Sequence, residues 1–206
     1  MSSKTLPINM ARSVAFASLA PARKVIAIGE RARGLTMYVT ARAACENRGV
    51  RVICGDNLFD PYAVSRLAKR LGARPKDALR SIRIARAFTA YQLAELVGRL
   101  DPSAPQDLVV ISGPCSTFFD DDVPLVDAAR LFYRVLWQIV ELARGGMTLL
   151  LVQGQVPEGG RRAYFLTDLS RASDVALHFG AVHTFRLEHH GRAALPPLAA
   201  MTSPDS

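Results

Sequence analysis

Residues Gly29 to Thr36, GERARGLT, have the spacing of a phosphate-binding loop, G-x-x-x-x-G-K-[ST]. In such a loop, glycines let backbone N–H groups turn toward an anion at the positive end of a helix, while a lysine and a hydroxyl reach the outer phosphates and a metal ion. Leu35 stands at the lysine position here. The segment therefore indicates either a nucleotide site that has lost its main charge or an ordinary glycine turn. Its candidate cofactor-binding residues are Gly29, Glu30, Arg31, Ala32, Arg33, Gly34, Leu35 and Thr36.

The elements around this loop alternate between short apolar runs and helical spacing, which is typical of buried parallel strands covered by helices. Strands are predicted at KVIAIGE, VRVICGD, SIRIARAF, DLVVISG and MTLLLVQGQ, with a closing pair in VALHFGAVHTFRLEHH. Helices are predicted at LTMYVTARAACENRG, PYAVSRLAKRLG, TAYQLAELVGRL and around residues 125–140. The pattern predicts an α/β fold with a mostly parallel central sheet, helices on both faces, and ligands beyond the carboxyl ends of the strands.

The length and composition indicate one globular domain. With 206 residues, half of them apolar, the chain can bury one substantial core. We expect this domain over residues 23–192, with an N-terminal arm over 1–22 and a flexible C-terminal tail over 193–206. The three separated cysteines contain no CxxC pair, which argues against a disulfide frame or a zinc site and favours the reducing cytoplasm. No apolar run approaches membrane-spanning length, so we expect no membrane association.

Positive charge is concentrated in the first half of the chain. Residues 23–100 carry 16 basic and 6 acidic side chains, whereas residues 101–206 carry 8 and 12. Such an excess suits nucleic acid, a nucleotide or an acidic partner protein. The alternative is an arginine-rich solvated surface without a partner.

The segment from Val52 to Leu96 closely resembles the RecA/RadA recombinase family. In that family a second strand leads into an acidic turn and a helix, and then into NIRVARAF, which here is IRIARAF at residues 82–88. Residues 25 to about 190 follow the family's order without a large gap. The resemblance implies a RecA-like P-loop fold, a three-layer sandwich with a mostly parallel central sheet.

The resemblance also implies roles for residues outside the loop. Asp56 falls where the family keeps the glutamate that activates the attacking water, and Gln155 falls at the glutamine that senses the γ-phosphate. Ser112 replaces the aspartate that orients the magnesium water, and Thr36 is the hydroxyl on the metal side. The catalytic candidates are therefore Asp56 and Gln155, and the metal-side candidates are Thr36 and Ser112.

The missing charges bear on activity because phosphoryl transfer depends on positioning and on compensating charge. Losing the lysine and the metal-side aspartate removes two charge-assisted contacts, together worth about 3–6 kcal/mol. We therefore expect no rapid ATP hydrolysis, and either weak binding of ATP or ADP with Mg²⁺ or no cofactor. A rearranged site that uses Arg31, Arg33 and Asp120 to Asp122 is the alternative, and would make the chain a weak ATPase.

A DNA contact is expected at the segment that matches the family's second DNA-binding loop. Arg161, Arg162 and Arg171, with Tyr164 and Phe165 between them, combine charge with stacking surface suited to single strands. An ordinary mobile hairpin has the same composition.

These expectations combine into a functional hypothesis. The resemblance implies an accessory DNA-binding or recombinase-modulating protein of DNA recombination and repair, which associates with itself or with a RecA/RadA-like partner. A pseudo-ATPase scaffold unrelated to DNA is the alternative. The four histidines, without a partner at ligand spacing, favour strand or surface positions over a metal site, and Cys115 is expected to be a buried thiol.

Overall fold

The computed structural model of the chain describes residues 2–19, 23–101, 108–154, 160–180 and 183–190. Its strands are β1 (Ser2–Pro7), β2 (Lys24–Ile28), β3 (Val50–Cys54), β4 (Ile82–Arg86), β5 (Leu108–Ser112), β6 (Thr148–Gln153), β7 (Val175–Phe179) and β8 (Thr184–His189). They form one open sheet in the order β1-β8-β7-β2-β6-β5-β3-β4. The strands from β2 to β7 are parallel. Strand β8 pairs antiparallel with β7, and β1 pairs antiparallel with β8.

Helices cover both faces of the sheet. They are α1 (Ala11–Ala17), α2 (Arg33–Cys45), α3 (Pro61–Arg70), α4 (Pro75–Arg80), α5 (Ala90–Gly98), α6 (Leu125–Arg144) and α7 (Tyr164–Ala172). Within the described ranges, none of them is long and apolar enough to cross a bilayer.

Two apolar cores separate the helices into layers. Helices α1 to α4 pack on one face, where Val39 and Val64 meet Val52 and Val110 of the sheet. Helices α5 to α7 pack on the other face, with Leu93, Phe132 and Phe165 in contact with its apolar cluster. The central strands are buried along their whole length because both of their faces are covered. The fold is therefore a three-layer α/β arrangement.

Local sequence signals begin the helices next to the carboxyl ends of β3 and β4. Asp60 caps α3 by accepting a hydrogen bond from the Tyr62 N–H at 2.8 Å, and Pro61 occupies the first helical position. Thr89 caps α5 by accepting from the Gln92 N–H at 3.2 Å, and Gln92 Oε1 accepts from the Phe88 N–H at 2.7 Å. These caps fix where the two helices begin.

The predicted strands and the four predicted helices are confirmed, and four elements are additional. Residues expected to form an arm instead provide β1 and α1, whose Ala11 and Ala15 belong to the core. The short helix α4 and the helix α7 were not predicted either. The expected tail at 193–206 lies outside the described residues.

Candidate functional site at the carboxyl end of the sheet

The candidate residues from three separate sequence motifs lie at the carboxyl end of the sheet, where β2, β6, β5 and β3 are neighbours. The connections that leave β2 and β6 pass to opposite faces, through α2 and α7. The same is true of β3 and β5, which lead to α3 and α6. Ligands of open α/β sheets bind in the crevices formed at such points. Among the described strands, β2/β6, β3/β5 and β3/β4 are such pairs, the last because β4 leads to α5 on the face opposite α3. The candidate residues lie at the first two of these crevices.

The loop after β2 is a closed turn. Gly29 is followed by a 3-10 turn over Glu30–Ala32, and α2 begins at Arg33. The Ala32 N–H donates to the Gly29 carbonyl at 2.9 Å, and the Arg33 N–H donates to the Glu30 carbonyl. These N–H groups are used inside the turn, so they do not converge on an anion.

The close approach of β7 requires a glycine at position 29. Its φ of 112° belongs to a region that side chains rarely adopt, and a Cβ there would clash with the Phe179 carbonyl at the end of β7. Gly34, in contrast, lies in the first turn of α2, and a Cβ added to it would meet open space. The close approach of β7 thus accounts for the first glycine of the motif.

Leu35 and Thr36 point into the core. Leu35 is only 3% exposed and packs in the apolar cluster beneath α2. The Thr36 hydroxyl is buried and has no hydrogen-bond partner in the described part of the chain. The residues present therefore do not fit a triphosphate with Mg²⁺, because a packed leucine occupies the lysine position and the hydroxyl is enclosed.

Arg33 is the loop arginine that reaches the crevice between β2 and β6. Its side chain lies so close to Gly154, at the end of β6, that a Cβ on Gly154 would clash with it. One guanidinium nitrogen lies 3.9 Å from the Glu30 carboxylate. Arg31 is exposed, and Glu30 is largely exposed as well. Of the two arginines considered as a substitute for the lysine, Arg33 is the one at the strand ends.

The second crevice joins Asp56 to Ser112. The Ser112 hydroxyl donates to Asp56 Oδ2 at 2.7 Å, and Asp56 Oδ1 accepts from the Leu58 N–H at 3.2 Å. The neighbouring Gly113 has φ of 66°, and a Cβ there would lie 2.6 Å from the Asp56 Cβ. The two polar positions are therefore held together by the closeness of the β3 and β5 loops.

Gln153 is a polar residue of the site that sequence reasoning missed. It ends β6 and is fully buried; its Oε1 accepts from the Cys115 N–H at 2.9 Å and its Nε2 donates to Ser116 Oγ at 3.3 Å. A polar residue at the end of an otherwise apolar strand was the available signal. Gln155, the predicted sensor, lies outside the described residues.

Neither thiol near the site is activated. Burial raises the pKa of Cys115 far above its usual range, and burial together with the Asp56 carboxylate raises the pKa of Cys54 to about 11. Both stay protonated at neutral pH, so neither supplies a thiolate nucleophile. This agrees with the expectation of a buried Cys115 thiol.

The three arginines expected to contact DNA do not come together. Arg162 donates to the Phe118 carbonyl at 2.8 Å and to the Val123 carbonyl, and it lies 3.1 Å from Asp121. Arg161 is exposed before α7, at the carboxyl end of the sheet, whereas Arg171 is exposed in the last turn of α7, where β7 is about to begin at the amino end. The intervening Phe165 is buried against Phe132 at 4.5 Å between ring centroids.

Two histidines share one carboxylate on β7 and β8, beside the strand that leads into the loop. Glu188 Oε2 lies 3.4 Å from His178 Nε2 and 3.3 Å from His190 Nε2, and Arg186 Nε lies 2.8 Å from Glu188 Oε1. Burial lowers the pKa of His178. Against the effect of burial, His178, His190 and Arg186 together lower the pKa of Glu188. No group of three or more metal-ligating side chains in the described ranges has the arrangement of a metal site.

Comparison with known proteins adds no relationship to this geometry. The chain matches no protein-family model, and a search of curated proteins likewise gives no match.

Proposed function

We propose that the chain is a RecA/RadA-like core domain without ATP turnover, which acts in the cytoplasm as an accessory protein of DNA recombination and repair. In this proposal it binds DNA or modulates an active recombinase, and it associates with itself or with a RecA/RadA-like partner. This role is suggested by the resemblance to the RecA/RadA family over residues 25 to about 190.

One observation carries the proposal. The resemblance assigns Asp56 to water activation and Ser112 to the metal position, in motifs 56 residues apart, and the two side chains share a 2.7 Å hydrogen bond. They lie at the same end of the sheet as the loop after β2. The two positions meet because β3 and β5 are adjacent parallel strands. A strand order that places the two matched motifs side by side supports a descent from a nucleotide-binding ancestor.

The lack of turnover follows from the side chains at these positions. A phosphoryl-transfer site needs a cation at the outer phosphates and a carboxylate for the metal water. Here Leu35 lies in the core, and Ser112 uses its hydrogen on Asp56. The proposed role therefore depends on binding surfaces and involves no chemical step.

Nucleotide assays test the first half of the proposal. With Mg²⁺–ATP present, we expect phosphate release at the level of an Asp56→Asn variant. We also expect no increase in Tm, because a ligand at a tenth of its Kd adds only about 0.1 kcal/mol. Phosphate release that disappears in Asp56→Asn, whose fold is verified by circular dichroism, would instead establish the weak ATPase with a rearranged site.

A strand-exchange assay tests the second half. An active RecA-type recombinase is mixed with increasing amounts of the protein, and exchange between a single strand and a duplex is followed by fluorescence. We expect the rate to change in proportion to the added protein. An unchanged rate, together with no retention of DNA at low salt, would contradict both forms of the accessory role.

The closed loop favours a second candidate, a scaffold unrelated to DNA. The Gly29 N–H bonds to the Gln153 carbonyl, the Ala32 N–H bonds within the turn, and Leu35 is packed, so these contacts hold the loop closed without a nucleotide. A scaffold would ignore DNA at every salt concentration, whereas neutralisation of phosphates makes log affinity fall linearly with log salt. Salt-dependent retention therefore separates the two candidates.

A further inference from the structure

The positive charge of the chain is concentrated on one lateral edge of the molecule. Residues 66–91 contain eight basic and one acidic side chain, a net +7, compared with +8 for the whole chain. All eight basic side chains are exposed. The single acidic residue, Asp77, already contacts Arg74 at 2.7 Å and Arg80 at 4.0 Å. The remainder of the chain is therefore close to neutral.

This charge surrounds β4, the last strand of the sheet. Strand β4 pairs only with β3 among the described strands, so its outer backbone edge faces outward. Arg83 and Arg86 extend from opposite faces of the strand, because successive side chains alternate. The preceding helix α4, which carries Lys76 and Arg80, packs on the face that Ile82 shares with Arg86. We call β4, α4 and these four side chains the basic edge.

Exposed aromatic rings stand at the carboxyl end of the basic edge. Phe88 is 67% exposed, Tyr91 54% and Tyr62 77%. The backbone that carries Phe88 is fixed, because the Ala87 N–H donates to the Cys54 carbonyl at 2.8 Å and the Phe88 N–H donates to Gln92 Oε1 at 2.7 Å. Arg86 also donates a hydrogen bond to Asn57, which joins the end of β4 to the loop before Tyr62.

We propose that the basic edge, with Phe88, Tyr91 and Tyr62, binds single-stranded nucleic acid. Surfaces that hold single strands combine a positively charged track for the backbone with aromatic rings on which bases stack. The basic edge supplies the track along β4 and α4, and the rings follow it at one end. The inference rests on the DNA-binding form of the proposed function and places the contact away from Arg161, Arg162 and Arg171.

A role in preventing β4 from pairing with other chains does not account for the whole of this surface. Charged side chains such as Arg83 and Arg86 do prevent strands at sheet edges from pairing with other chains. The exposed rings of Phe88 and Tyr91 after β4, and of Tyr62 after β3, have the opposite effect, since they add apolar surface. An acidic peptide added along β4 would leave Lys76 and Arg80 on α4 without a contact, so the charge distribution favours nucleic acid.

A titration of the full chain tests this surface. A fluorescent 30-nucleotide oligo-dT and a duplex of the same length are the probes, at several salt concentrations. Two variants change the surface: Lys76→Glu with Arg83→Glu, and Phe88→Ala with Tyr91→Ala. The matched control, Arg134→Glu with Arg144→Glu on α6, makes the same change of charge at exposed residues elsewhere. Equal Tm values verify that each variant is folded.

We expect oligo-dT to bind more tightly than the duplex. The charge variant should weaken it by tenfold or more and reduce the slope of log affinity against log salt by about 1.4, since each phosphate contact on a single strand contributes about 0.7. The aromatic variant should weaken it by about tenfold with an unchanged slope, because stacking does not release counterions. The control should bind like the unchanged protein.

The alternative outcomes are distinguishable. Normal binding by both surface variants with a loss in the control would overturn the basic edge but leave DNA binding intact. Equal affinity for the duplex, with no effect of the aromatic change, would overturn the single-strand assignment. No binding of either probe at low salt would overturn the inference and the DNA-binding form of the function together. Binding of poly-glutamate in place of oligo-dT would identify the edge as a site for acidic protein segments.

Discussion

The turn over Gly29–Ala32 and the edge strand β4 differ in what their polar and apolar groups do. In the turn, two N–H groups bond to carbonyls three residues earlier, and the adjacent Leu35 is 3% exposed. At β4, two arginines face solvent, and Phe88 just after the strand does so as well. The first segment carries a binding motif but has closed, while the second carries no binding motif and remains open. The segment with the spacing of a phosphate-binding loop is therefore packed, and the surface that we propose for nucleic acid is exposed.

The largest expected effect separates a core leucine from a surface leucine. Leu35→Ala should lower the free energy of unfolding by about 2–5 kcal/mol, because it removes packed methyl groups and leaves a cavity. Leu58→Ala makes the same chemical change at a position that is 48% exposed. The free energy of unfolding of the Leu58→Ala variant should differ from that of the unchanged protein by no more than about 0.5 kcal/mol. Urea unfolding with equal m-values measures both. Equal losses would mean that Leu35 does not lie in the core.

Restoring the lysine sharpens this comparison. Leu35→Lys recovers the motif in sequence but places an ammonium group among apolar side chains, which is costly without a partner. We expect a lower Tm and no binding of Mg²⁺–ATP. A variant that is stabilised by millimolar Mg²⁺–ATP would show that the loop can still open around phosphates.

The two glycines of the motif should respond in opposite directions. Gly29→Ala forces a side chain into a strained backbone region, at about 1–3 kcal/mol, and also into the Phe179 carbonyl. Gly34→Ala meets open space in a helical turn, so it should stabilise the protein by about 0.5–1 kcal/mol. Thermal unfolding of the two variants gives the sign directly. A working phosphate loop would suffer from both changes.

A smaller effect is expected at the crevice between β3 and β5. Ser112→Ala removes the hydroxyl that donates to Asp56 at 2.7 Å. Leaving a buried acceptor unpaired costs about 1–3 kcal/mol, and the partial exposure of Asp56 places the expected loss near 1 kcal/mol. In an Asp56→Asn background the same change should cost less. Additive losses in this double-mutant cycle would mean that the two side chains are not coupled.

The smallest effect is expected from two ionisable groups on β7 and β8. The pKa of His178 is lowered from 6.5 by burial, so the unfolded chain binds its proton more readily and stability should decline as the pH falls below 6.5. The pKa of Glu188 is lowered from 4.5, so its contribution is lost below that pH. His178→Asn should remove the first decline and weaken the second, because His178 also lowers the pKa of Glu188. Tm measured from pH 8 to pH 4 tests this, and a Tm that rises on acidification would contradict it.

Periodicity alone predicted most of the fold. The apolar stripe from Leu125 to Val140 required a long helix, and fully apolar runs such as LLLV required strands covered on both faces. Strand β1 escaped prediction because SSKTLP has no alternation, and α7 escaped because it follows two glycines and two arginines. Such short polar elements are determined by their neighbours, here β8 and α6.

The site was predictable only where neighbouring residues in sequence determine it. The spacing of Gly29 and Gly34 was visible, but the closure of the turn depends on Phe179, which arrives from β7. Arg162 was visible as a charge, while the carbonyls that bind it belong to the segment before α6. The closure of the turn and the burial of the Arg162 charge both depend on contacts between residues far apart in the chain. A local sequence pattern does not predict such contacts.

Strand β1 has a consequence for how the protein is made. Its partner β8 is separated from it by nearly the whole described chain, with Pro7 opposite Thr184. During translation, β1 therefore leaves the ribosome long before the strand that it must pair with. Contacts between residues this far apart in sequence slow folding, and an unpaired strand makes a newly made chain prone to aggregation. Strand β1 cannot pair until β8 has been synthesised, so this side of the sheet forms late in the folding of the newly made chain.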